Sequence, residues 1–198
     1  MAIYTTNNKI WKLDNKWVNK PDSVPPGPVV EEVTIGTQTW KTANLAVDDG
    51  GTGITIVDNV TANGVNFGTQ YYYTWEAAKR VANSIEGWHL PTQAEWDTLA
   101  TAVGGASVAG IKLKSTSGWN DNTNGTDDFG FTVLPVGKVN AGALESNGNL
   151  DIFWFPTQYD SNLGNYCYFS YYRTAKDKIN YSCGYKTDGC SVRLIKDT

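Results

Sequence analysis

Helical periodicity occurs in only two short segments of this chain, so most of the fold has to be built from other structure. Residues 74–83 (TWEAAKRVAN) begin with Thr74, a residue type that caps helix amino termini. Residues 92–103 begin with Thr92, three residues before Glu95, which is the spacing of a capping box. The apolar side chains of this second segment recur at helical spacing and are predicted to face the core: Trp96, Leu99 and Val103.

The rest of the sequence is typical of short strands joined by loops. VTIGTQTWKTANL predicts a strand followed by a turn, and β-like pieces follow Gly104: IKLKS, FTVLPVGKV, DIFWF and SVRLI. Between them lie stretches rich in Gly, Asn and Asp. We therefore predict an α+β domain with two helices, short and mostly antiparallel strands, and unusually long loops.

Three regions are predicted along the chain. Residues 1–19 carry two short aromatic runs on either side of Asp14 and Asn15, which indicates a small β-hairpin. Residues 20–28 (KPDSVPPGP) are predicted to form an extended, semi-rigid linker. Residues 29–198 then form one domain, and they are numerous enough to bury a core without disulfides or metal.

Charge and hydropathy exclude some partners. A formal net charge of −4 argues against a nucleic-acid partner, which calls for a basic surface. The first residues lack the apolar run of a secretory signal, and no later stretch is apolar enough to insert into a membrane. We expect synthesis in the cytoplasm, followed by display on a virion, such as a phage tail, or on a cell surface by a route independent of Sec.

The three cysteines lie close together near the end of the sequence, at Cys167, Cys183 and Cys190. Their odd number and crowding are unlike the disulfide framework of a secreted domain. Free thiols are the main expectation, one disulfide pair is the alternative, and the spacing matches no zinc site.

Five segments of the chain resemble the Fibrobacter succinogenes major paralogous domain in the same order, across nearly all of residues 31–198: VTIGTQTWKTANL, YYYTWEAAKRVAN, GWHLPTQAEWDTL, GWNDNTNGTDDFGFTVLPVG and GCSVRLIKD. HLPTQAEW is also similar to the helix motif of formylglycine-generating-enzyme-like domains. The resemblance implies a C-type-lectin-like fold, with its first and last strands paired, two helices, and long loops that present a ligand surface.

The chain departs from that family in two respects. Family members often carry a cysteine before GWHLPT and another in a closing VRC, consistent with a bridge, whereas this chain has VANSIEGW and Ser191-Val192-Arg193-Leu194. The absence of both cysteines fits a protein that folds in a reducing cytosol. Members also often carry a secretory or lipoprotein signal, which we do not find, and this favours a phage particle or another route independent of Sec.

The segment between residues 153 and 190 is the main candidate for function. It holds seven tyrosines among Asn, Ser, Asp and Gly, a composition like that of an antibody paratope. The alternative is that these tyrosines alternate between core and solvent on ordinary strands, and Trp154 is expected in the core. The predicted ligand-contacting residues are Phe155, Asp160, Asn162, Leu163, Tyr168, Ser170, Tyr172, Arg173, Asn180, Tyr181, Ser182 and Tyr185.

The same segment also resembles the variable region of target proteins of diversity-generating retroelements, which use a C-type-lectin-like fold and place that region at the carboxyl terminus. Asn-rich versions are usual in the family, and the Tyr, Ser, Cys, Asp and Phe found here are each reachable from an AAY codon by changing one or both adenines. Cys190 stands where a Phe is expected in the closing GFSVR. The resemblance implies a ligand that differs between copies of the gene.

Two features of the sequence are candidates for a metal or catalytic site. Asn120 to Asp128 (NDNTNGTDD) resembles a calcium loop, but Phe131 stands at the twelfth position and no partner loop precedes the Trp-Asn-Asp order, so a structural turn is predicted, with calcium as the alternative. No other cofactor or metal is expected. His89, the only histidine, is predicted to be structural.

No nucleophile motif accompanies His89, and the paired cysteines of formylglycine-generating enzymes are not reproduced by Cys183 and Cys190. A carboxylate pair for glycoside hydrolysis remains open among Glu86, Glu95 and Asp97, although the capping box explains Glu95 better. No enzymatic activity is expected.

The sequence predicts a non-catalytic binding protein, an adhesin or receptor-binding protein, with a protein or glycan ligand on a cell surface. The alternative is a structural component of a phage tail fibre or surface layer with fixed subunit contacts. Exposure of Tyr168, Tyr172, Arg173 and Tyr181 on one patch favours the first, and their burial in a symmetric oligomer favours the second. The oligomeric state is left open.

Overall fold

The computed structural model of the protein describes residues 10–13, 16–19, 32–172 and 175–198. It is an α+β structure with three helices and many short strands, as the sequence predicts apart from the number of helices. The helices are α1 Trp75–Ala82, α2 Gln93–Ala102 and α3 Ala106–Leu113. The strands are β1 Ile10–Leu13, β2 Lys16–Asn19, β3 Glu32–Ile35, β4 Gln38–Lys41, β5 Ile54–Val57, β6 Thr61–Ala62, β7 Val65–Asn66, β8 Gln70–Tyr73, β9 Trp88–His89, β10 Lys138–Asn140, β11 Ala143–Glu145, β12 Leu150–Gln158, β13 Leu163–Ser170, β14 Asn180–Tyr185 and β15 Ile195–Lys196.

Strands β1 and β2 pair in antiparallel register, with Ile10 opposite Asn19 and Leu13 opposite Lys16. The sequence predicts a hairpin at this place. The predicted linker, residues 20–28, lies outside the residues that the structure describes.

The first and last strands of the domain lie in one four-stranded sheet, in the order β3-β4-β15-β9. Ile195 of β15 lies opposite Trp40 on one side and His89 on the other. The β3–β4 hairpin turns at Gly36, whose φ of 63° favours glycine. The family resemblance implies that the first and last strands pair; here the last strand joins the sheet of the first strand, but it pairs with β4 and β9 and not with β3 itself.

Helix α2 has the capping box that its sequence predicts. Thr92 Oγ1 accepts a hydrogen bond from the Glu95 amide at 3.3 Å, and the Thr92 amide donates to Glu95 Oε2 at 2.7 Å. The three predicted core residues of this helix segment are all buried: Trp96, Leu99 and Val103. Thr74 precedes α1 as predicted, but its side chain does not cap the helix.

Helix α3 corrects the expectation of two helices, because it includes the IKL of a segment predicted to be β-like. Gly104 and Gly105, with φ of 111° and 105°, end α2 and allow a new helix to begin at once. Gly110 lowers helix propensity, yet no other residue fits there, since an added Cβ would lie 2.4 Å from the Lys178 amide nitrogen. Tertiary packing thus overrides the local signal.

A three-stranded sheet in the order β12-β13-β14 divides the core in two. On one face Phe153 and Phe169 pack with Trp96, whose ring centroid lies 4.9 Å from that of Trp40. On the other face Trp154 packs against the residues of α1. Trp154 is buried, as predicted.

A buried guanidinium joins distant parts of the chain. Arg193 is 1% exposed, and its Nη1 donates to the carbonyl oxygens of Thr42 and Phe131, both at 2.6 Å. Its Nη2 donates to Asn44 Oδ1 at 2.8 Å. The guanidinium also lies 4.7 Å from the centroid of the Phe131 ring. Without these acceptors, burial of the charged guanidinium would be strongly unfavourable in free energy.

Asp151 balances that charge from a fully buried position on β12. Its carboxylate accepts hydrogen bonds from Ser191 Oγ at 2.6 Å and from Asn44 Nδ2 at 3.2 Å. Burial raises the pKa of Asp151 to about 7, although these donors and the charge of Arg193 act in the opposite direction. Asn44 therefore connects the two buried charges.

His89 is structural, as predicted, and connects β9, α2 and the end of the chain. Its Nε2 lies 2.8 Å from Glu95 Oε1, and its Nδ1 lies 2.6 Å from Asp197 Oδ1. Burial lowers the pKa of His89, but the hydrogen bonds and charges of the two carboxylates outweigh it, so the pKa lies above its ordinary value.

No helix among the described residues combines the length and the apolar character needed to cross a membrane.

We predict that Arg193→Met lowers the free energy of unfolding by about 3–5 kcal/mol, because it leaves several carbonyl groups buried without their donor and removes the positive charge that stabilises the Asp151 carboxylate. Urea denaturation measures the change. Arg80→Met is the control, since Arg80 pairs with Asp49 at the surface, and it should alter the denaturation midpoint little. Equal effects of the two substitutions would contradict the assignment.

We predict that His89→Gln destabilises the protein more at low pH than at high pH. The folded pKa of His89 is raised above its unfolded value of about 6.5. Its stabilisation is therefore fully present below about pH 6.5 and is lost as the pH rises through the folded pKa. The difference in Tm between wild type and variant should be larger at about pH 5.5 than at about pH 8.5, and a difference independent of pH would refute it.

Candidate functional site

The sheet β12-β13-β14 carries most of the segment that the sequence singles out. Successive residues of a strand point to opposite faces, and residues opposite each other share a face. Cys167 lies opposite Phe153 and Tyr181, so these three share the face that packs on α2. Tyr168 lies opposite Ile152 and Asn180 and points to the other face.

The face of the sheet that packs on α2 is only partly covered by that helix, and the rest of it is open to solvent. Along β13 and β14, Asn165 lies opposite Cys183, and Leu163 lies opposite Tyr185. The amide of Tyr159 donates to the Leu163 carbonyl at 2.9 Å, so this residue lies at the same end of the sheet. We call this set the tyrosine surface: Tyr159, Leu163, Asn165, Tyr181, Cys183 and Tyr185.

Aromatic side chains dominate the exposed part of the tyrosine surface. Tyr159 is 67% exposed, Tyr185 is 65% exposed and Tyr181 is 36% exposed. A tyrosine ring offers a large, rigid and amphipathic contact area, so clustered exposed tyrosines are typical of a recognition surface. The predicted contact residues Leu163, Tyr181 and Tyr185 lie in this surface.

The loop between β12 and β13 is held rigid by its own hydrogen bonds. Asp160 Oδ1 accepts from the amides of Asn162 and Leu163 at 2.7 and 2.8 Å. Lys186 Nζ donates to Gln158 Oε1 at 2.7 Å. Asp160 and Asn162, two of the predicted contact residues, are exposed beside the tyrosine surface, but the Asp160 carboxylate already accepts hydrogen bonds within the turn.

Tyr181 is fixed in place by α2. Its hydroxyl donates to Asp97 Oδ1 at 2.7 Å, and its ring centroid lies 6.0 Å from that of Phe155. Burial and the Asp97 carboxylate raise the pKa of Tyr181. Tyr181 is therefore only partly open to solvent, with its hydroxyl held by α2 and its ring packed near Phe155.

Three predicted contact residues lie on the opposite face of the sheet. Tyr168 is half-buried, and its ring centroid lies 6.1 Å from that of Tyr166. Asn180 is half-buried, and its Nδ2 donates to the Ala175 carbonyl at 3.0 Å. Ser182 is exposed opposite Tyr166. These residues cannot join one flat patch with Tyr181.

Tyr172 lies at the far end of the sheet from Tyr185. It is 60% exposed, and its ring centroid lies 4.4 Å from that of Tyr171. Arg173 lies outside the described residues. The structure therefore does not bring Tyr168, Tyr172 and Tyr181 together on a single patch, because they occupy two faces and two ends of the sheet.

Two predicted contact residues are buried instead. Phe155 is 1% exposed within the core on the α2 face. Ser170 is 1% exposed, its hydroxyl accepts from the Tyr172 amide, and its carbonyl accepts from Lys114 Nζ at 3.2 Å. The prediction that these two residues contact a ligand is therefore wrong, because both side chains are packed inside the domain.

Lys114 bonds to the end of β13 from a buried position. Its side chain is buried, its Nζ also donates to the Thr123 carbonyl at 2.6 Å, and it lies 4.5 Å from the centroid of the Trp119 ring. Burial lowers the pKa of Lys114 to about 8. A buried lysine thus ties the end of β13 to the loop after α3.

Sequence reasoning missed three members of the tyrosine surface as contact residues: Tyr159, Asn165 and Cys183. Period-2 alternation with Tyr181 and Tyr185 identifies Cys183 as a neighbour on the same face. The same alternation from Leu163 identifies Asn165. Tyr159 follows β12, and its place beside the surface depends on the turn between β12 and β13, which the sequence does not show.

Residues 120–128 are predicted to form a structural turn, with a calcium loop as the alternative. Several of their side-chain oxygens accept hydrogen bonds from nearby residues of the chain. Asn124 Oδ1 accepts from the Trp119 amide at 3.0 Å. Asp127 accepts from the Thr132 amide at 2.8 Å and from the Thr132 hydroxyl at 2.6 Å. Within the part of the chain that the structure describes, no group of three or more His, Cys, Asp or Glu residues is arranged to hold a metal ion.

The cysteines are free thiols, as mainly expected. Burial raises the pKa of Cys167 and of Cys190 well above its ordinary value, which disfavours the nucleophilic thiolate. Cys183 is half-exposed in the tyrosine surface. Glu95 is occupied by Thr92 and His89, so the capping box accounts for it.

Comparison with known proteins identifies the family. No curated protein and no solved structure matches the chain. The family model of the Fibrobacter succinogenes major domain matches residues 33–196, which include all three helices and the whole β12-β13-β14 sheet. The resemblance noted in the sequence is thereby confirmed, and the chain belongs to the Fibrobacter succinogenes major domain family.

Proposed function

We propose that the protein is a non-catalytic binding module that captures a protein or glycan ligand on a cell surface through its tyrosine surface. One observation carries the proposal: three exposed tyrosines, Tyr159, Tyr181 and Tyr185, lie on or beside one sheet whose strands β12 and β13 carry buried core residues. Pre-organised aromatic contacts bind with little loss of conformational entropy. We further propose an adhesin or receptor-binding role, on a phage tail or on a cell surface.

The fold that we propose is C-type-lectin-like. Its support is the pairing of β15 with β4, the two helices α1 and α2 on opposite sides of the β12-β13-β14 sheet, and the long loop between α3 and β10. In such an arrangement the four-stranded sheet β3-β4-β15-β9 belongs to the scaffold, and strands β12 to β14 face the ligand.

We also propose that residues 153–190 form a retroelement-diversified binding face. The variable positions are those of its residues whose side chains are exposed. Exposed positions such as Tyr159, Ser182 and Tyr185 can change without loss of packing. Phe153 and Phe169 are fully buried and pack against Trp96, so large changes there would open cavities.

The second candidate is a structural component of a tail fibre or surface layer, whose tyrosines make fixed subunit contacts. The exposed rings of Tyr159 and Tyr185 are compatible with it, since exposed aromatic patches also mark subunit interfaces. Sedimentation distinguishes the two, because a stable symmetric oligomer that buries both rings favours the structural role.

We predict that the double variant Tyr159→Ala, Tyr185→Ala binds target cells at least about tenfold more weakly than wild type, with little change in Tm. Both side chains are about two-thirds exposed, so their loss removes contact area without opening the core. Flow cytometry of the fluorescently labelled protein on a panel of bacteria measures binding. Tyr172→Ala is the matched control, an equally exposed tyrosine at the other end of the sheet. Loss of binding in the control alone would move the binding surface to that end.

We predict that copies of the gene from its source population differ at adenine positions of the codons for exposed residues, and not at the buried ones. Deep sequencing of codons 150–198 should show changes at Tyr159, Tyr181 and Tyr185 above an unchanged Phe153 and Phe169. An invariant segment would eliminate diversification and leave a single fixed partner or a structural role.

A further inference from the structure

Helix α2 contributes a carboxylate to one end of the tyrosine surface. Asp97 is exposed on this helix, and its Oδ1 accepts the hydrogen bond from the Tyr181 hydroxyl at 2.7 Å. The residue lies far outside residues 153–190, so the composition of that segment gives no sign of it. Asp97 therefore joins the candidate site only through the packing of α2 on the sheet.

The hydrogen bond between Tyr181 and Asp97 decides what this pair can offer a ligand. A phenol has one O–H donor, and Asp97 already accepts it. Burial and the Asp97 carboxylate raise the pKa of Tyr181, so the phenol stays protonated at neutral pH. Asp97 Oδ2 has no hydrogen-bond partner among the residues that the structure describes. Toward a ligand, both side chains therefore only accept hydrogen bonds, and the pair carries one negative charge.

Within the described part of the chain, no cation neutralises that charge by an ion pair. Lys178, which precedes β14, forms no ion pair with Asp97. Lys186 follows β14, but its Nζ lies 4.6 Å from the ring centroid of Trp75, a residue of α1 on the opposite side of the sheet. The residues of the tyrosine surface are themselves uncharged. The end of the surface at Tyr181 is therefore negative.

A carboxylate beside exposed tyrosine rings favours a cationic ligand group. The face of an aromatic ring attracts an ammonium or guanidinium group. A guanidinium has five N–H donors in a planar fork and no acceptor, which matches a pair of side chains that only accept. A neutral sugar hydroxyl has no charge with which to balance that of Asp97. The net charge of −4 also attracts a positively charged partner over longer distances.

We infer that Asp97 and Tyr181 form a subsite for an arginine side chain of a protein ligand. The inference rests on the proposed binding function and narrows its ligand from protein or glycan to a protein with an exposed arginine. The guanidinium donates to Asp97 Oδ2 and to the hydroxyl oxygen of Tyr181. The ligand residues next to the arginine contact the exposed rings of Tyr185 and Tyr159, further along the same surface.

The variant that tests the subsite is Asp97→Asn, with Glu86→Gln as its matched control. Asparagine removes the charge and keeps an oxygen that can accept from Tyr181. Glu86 is an exposed carboxylate after α1, it forms no ion pair with any described residue, and its substitution changes the net charge by the same amount. Both side chains are exposed, so the Tm of each variant should stay close to that of the wild type.

The ligand probe is a pair of acetylated and amidated peptides, Ala-Ala-Arg-Ala-Ala and the same peptide with citrulline in place of arginine. Citrulline keeps the shape of arginine and lacks its charge. NMR titration of the wild type should show at least about threefold tighter binding of the arginine peptide, with shift changes centred on the Asp97 and Tyr181 amides. Added salt should reduce this preference. Asp97→Asn should abolish the preference, and Glu86→Gln should retain it.

Three results overturn the inference. The first is equal binding of the two peptides to the wild type, or an arginine preference that Asp97→Asn retains. The second is a set of shift changes at Tyr181 with methyl glycosides and none with the arginine peptide, which assigns the subsite to a glycan. The third is a wild-type dimer, measured by sedimentation, that Asp97→Asn dissociates, because a second copy of the chain then occupies the subsite.

Binding to cells separates this inference from the proposed function. If the Tyr159→Ala, Tyr185→Ala protein loses cell binding while Asp97→Asn binds as well as Glu86→Gln, the proposed function stands and the arginine subsite is wrong. If neither the double variant nor Asp97→Asn changes cell binding, both are wrong.

Discussion

The buried guanidinium of Arg193 is the interaction on which the rest of the structure depends. It draws together the segment after β4, the loop at Phe131 and the last strand, three parts of the chain far apart in sequence. Each of its carbonyl partners is a group that burial would otherwise leave unsatisfied. Asn44 also donates a hydrogen bond to Asp151 on β12, so the buried polar centre is connected to the sheet that bears the tyrosine surface. The fold is closed by polar bonds at its centre, without a disulfide among its cysteines.

The tyrosine surface owes its rigidity to packing on both sides of one sheet. Phe155 lies under Tyr181 on the α2 face, and Trp154 packs against α1 on the other. At the far end, Lys114 and the close contact of Gly110 with Lys178 hold the connection between β13 and β14. A surface supported in this way can carry changed side chains without moving its backbone.

Local signals in the sequence predicted the elements whose stability is local. The Thr92–Glu95 spacing located α2, and the aromatic runs around Asp14 located a hairpin. Helix α3 was missed because Gly110 and the β-like IKLKS segment oppose it, while the packing that stabilises it comes from residues nearly seventy positions later. The binding segment was found by composition, but Phe155 and Ser170 were misplaced because burial depends on which face α2 covers. The division of Tyr168 and Tyr181 between two faces depends on register, which only the assembled sheet shows.

The ladder that joins β12, β13 and β14 is made of main-chain groups. Codon changes replace side chains but leave every N–H and C=O of the main chain as it was, proline excepted. The geometry of this ladder is therefore independent of which residues occupy its exposed positions. Under the diversification proposed above, copies of the gene would share one backbone template and differ only in the chemistry displayed on it.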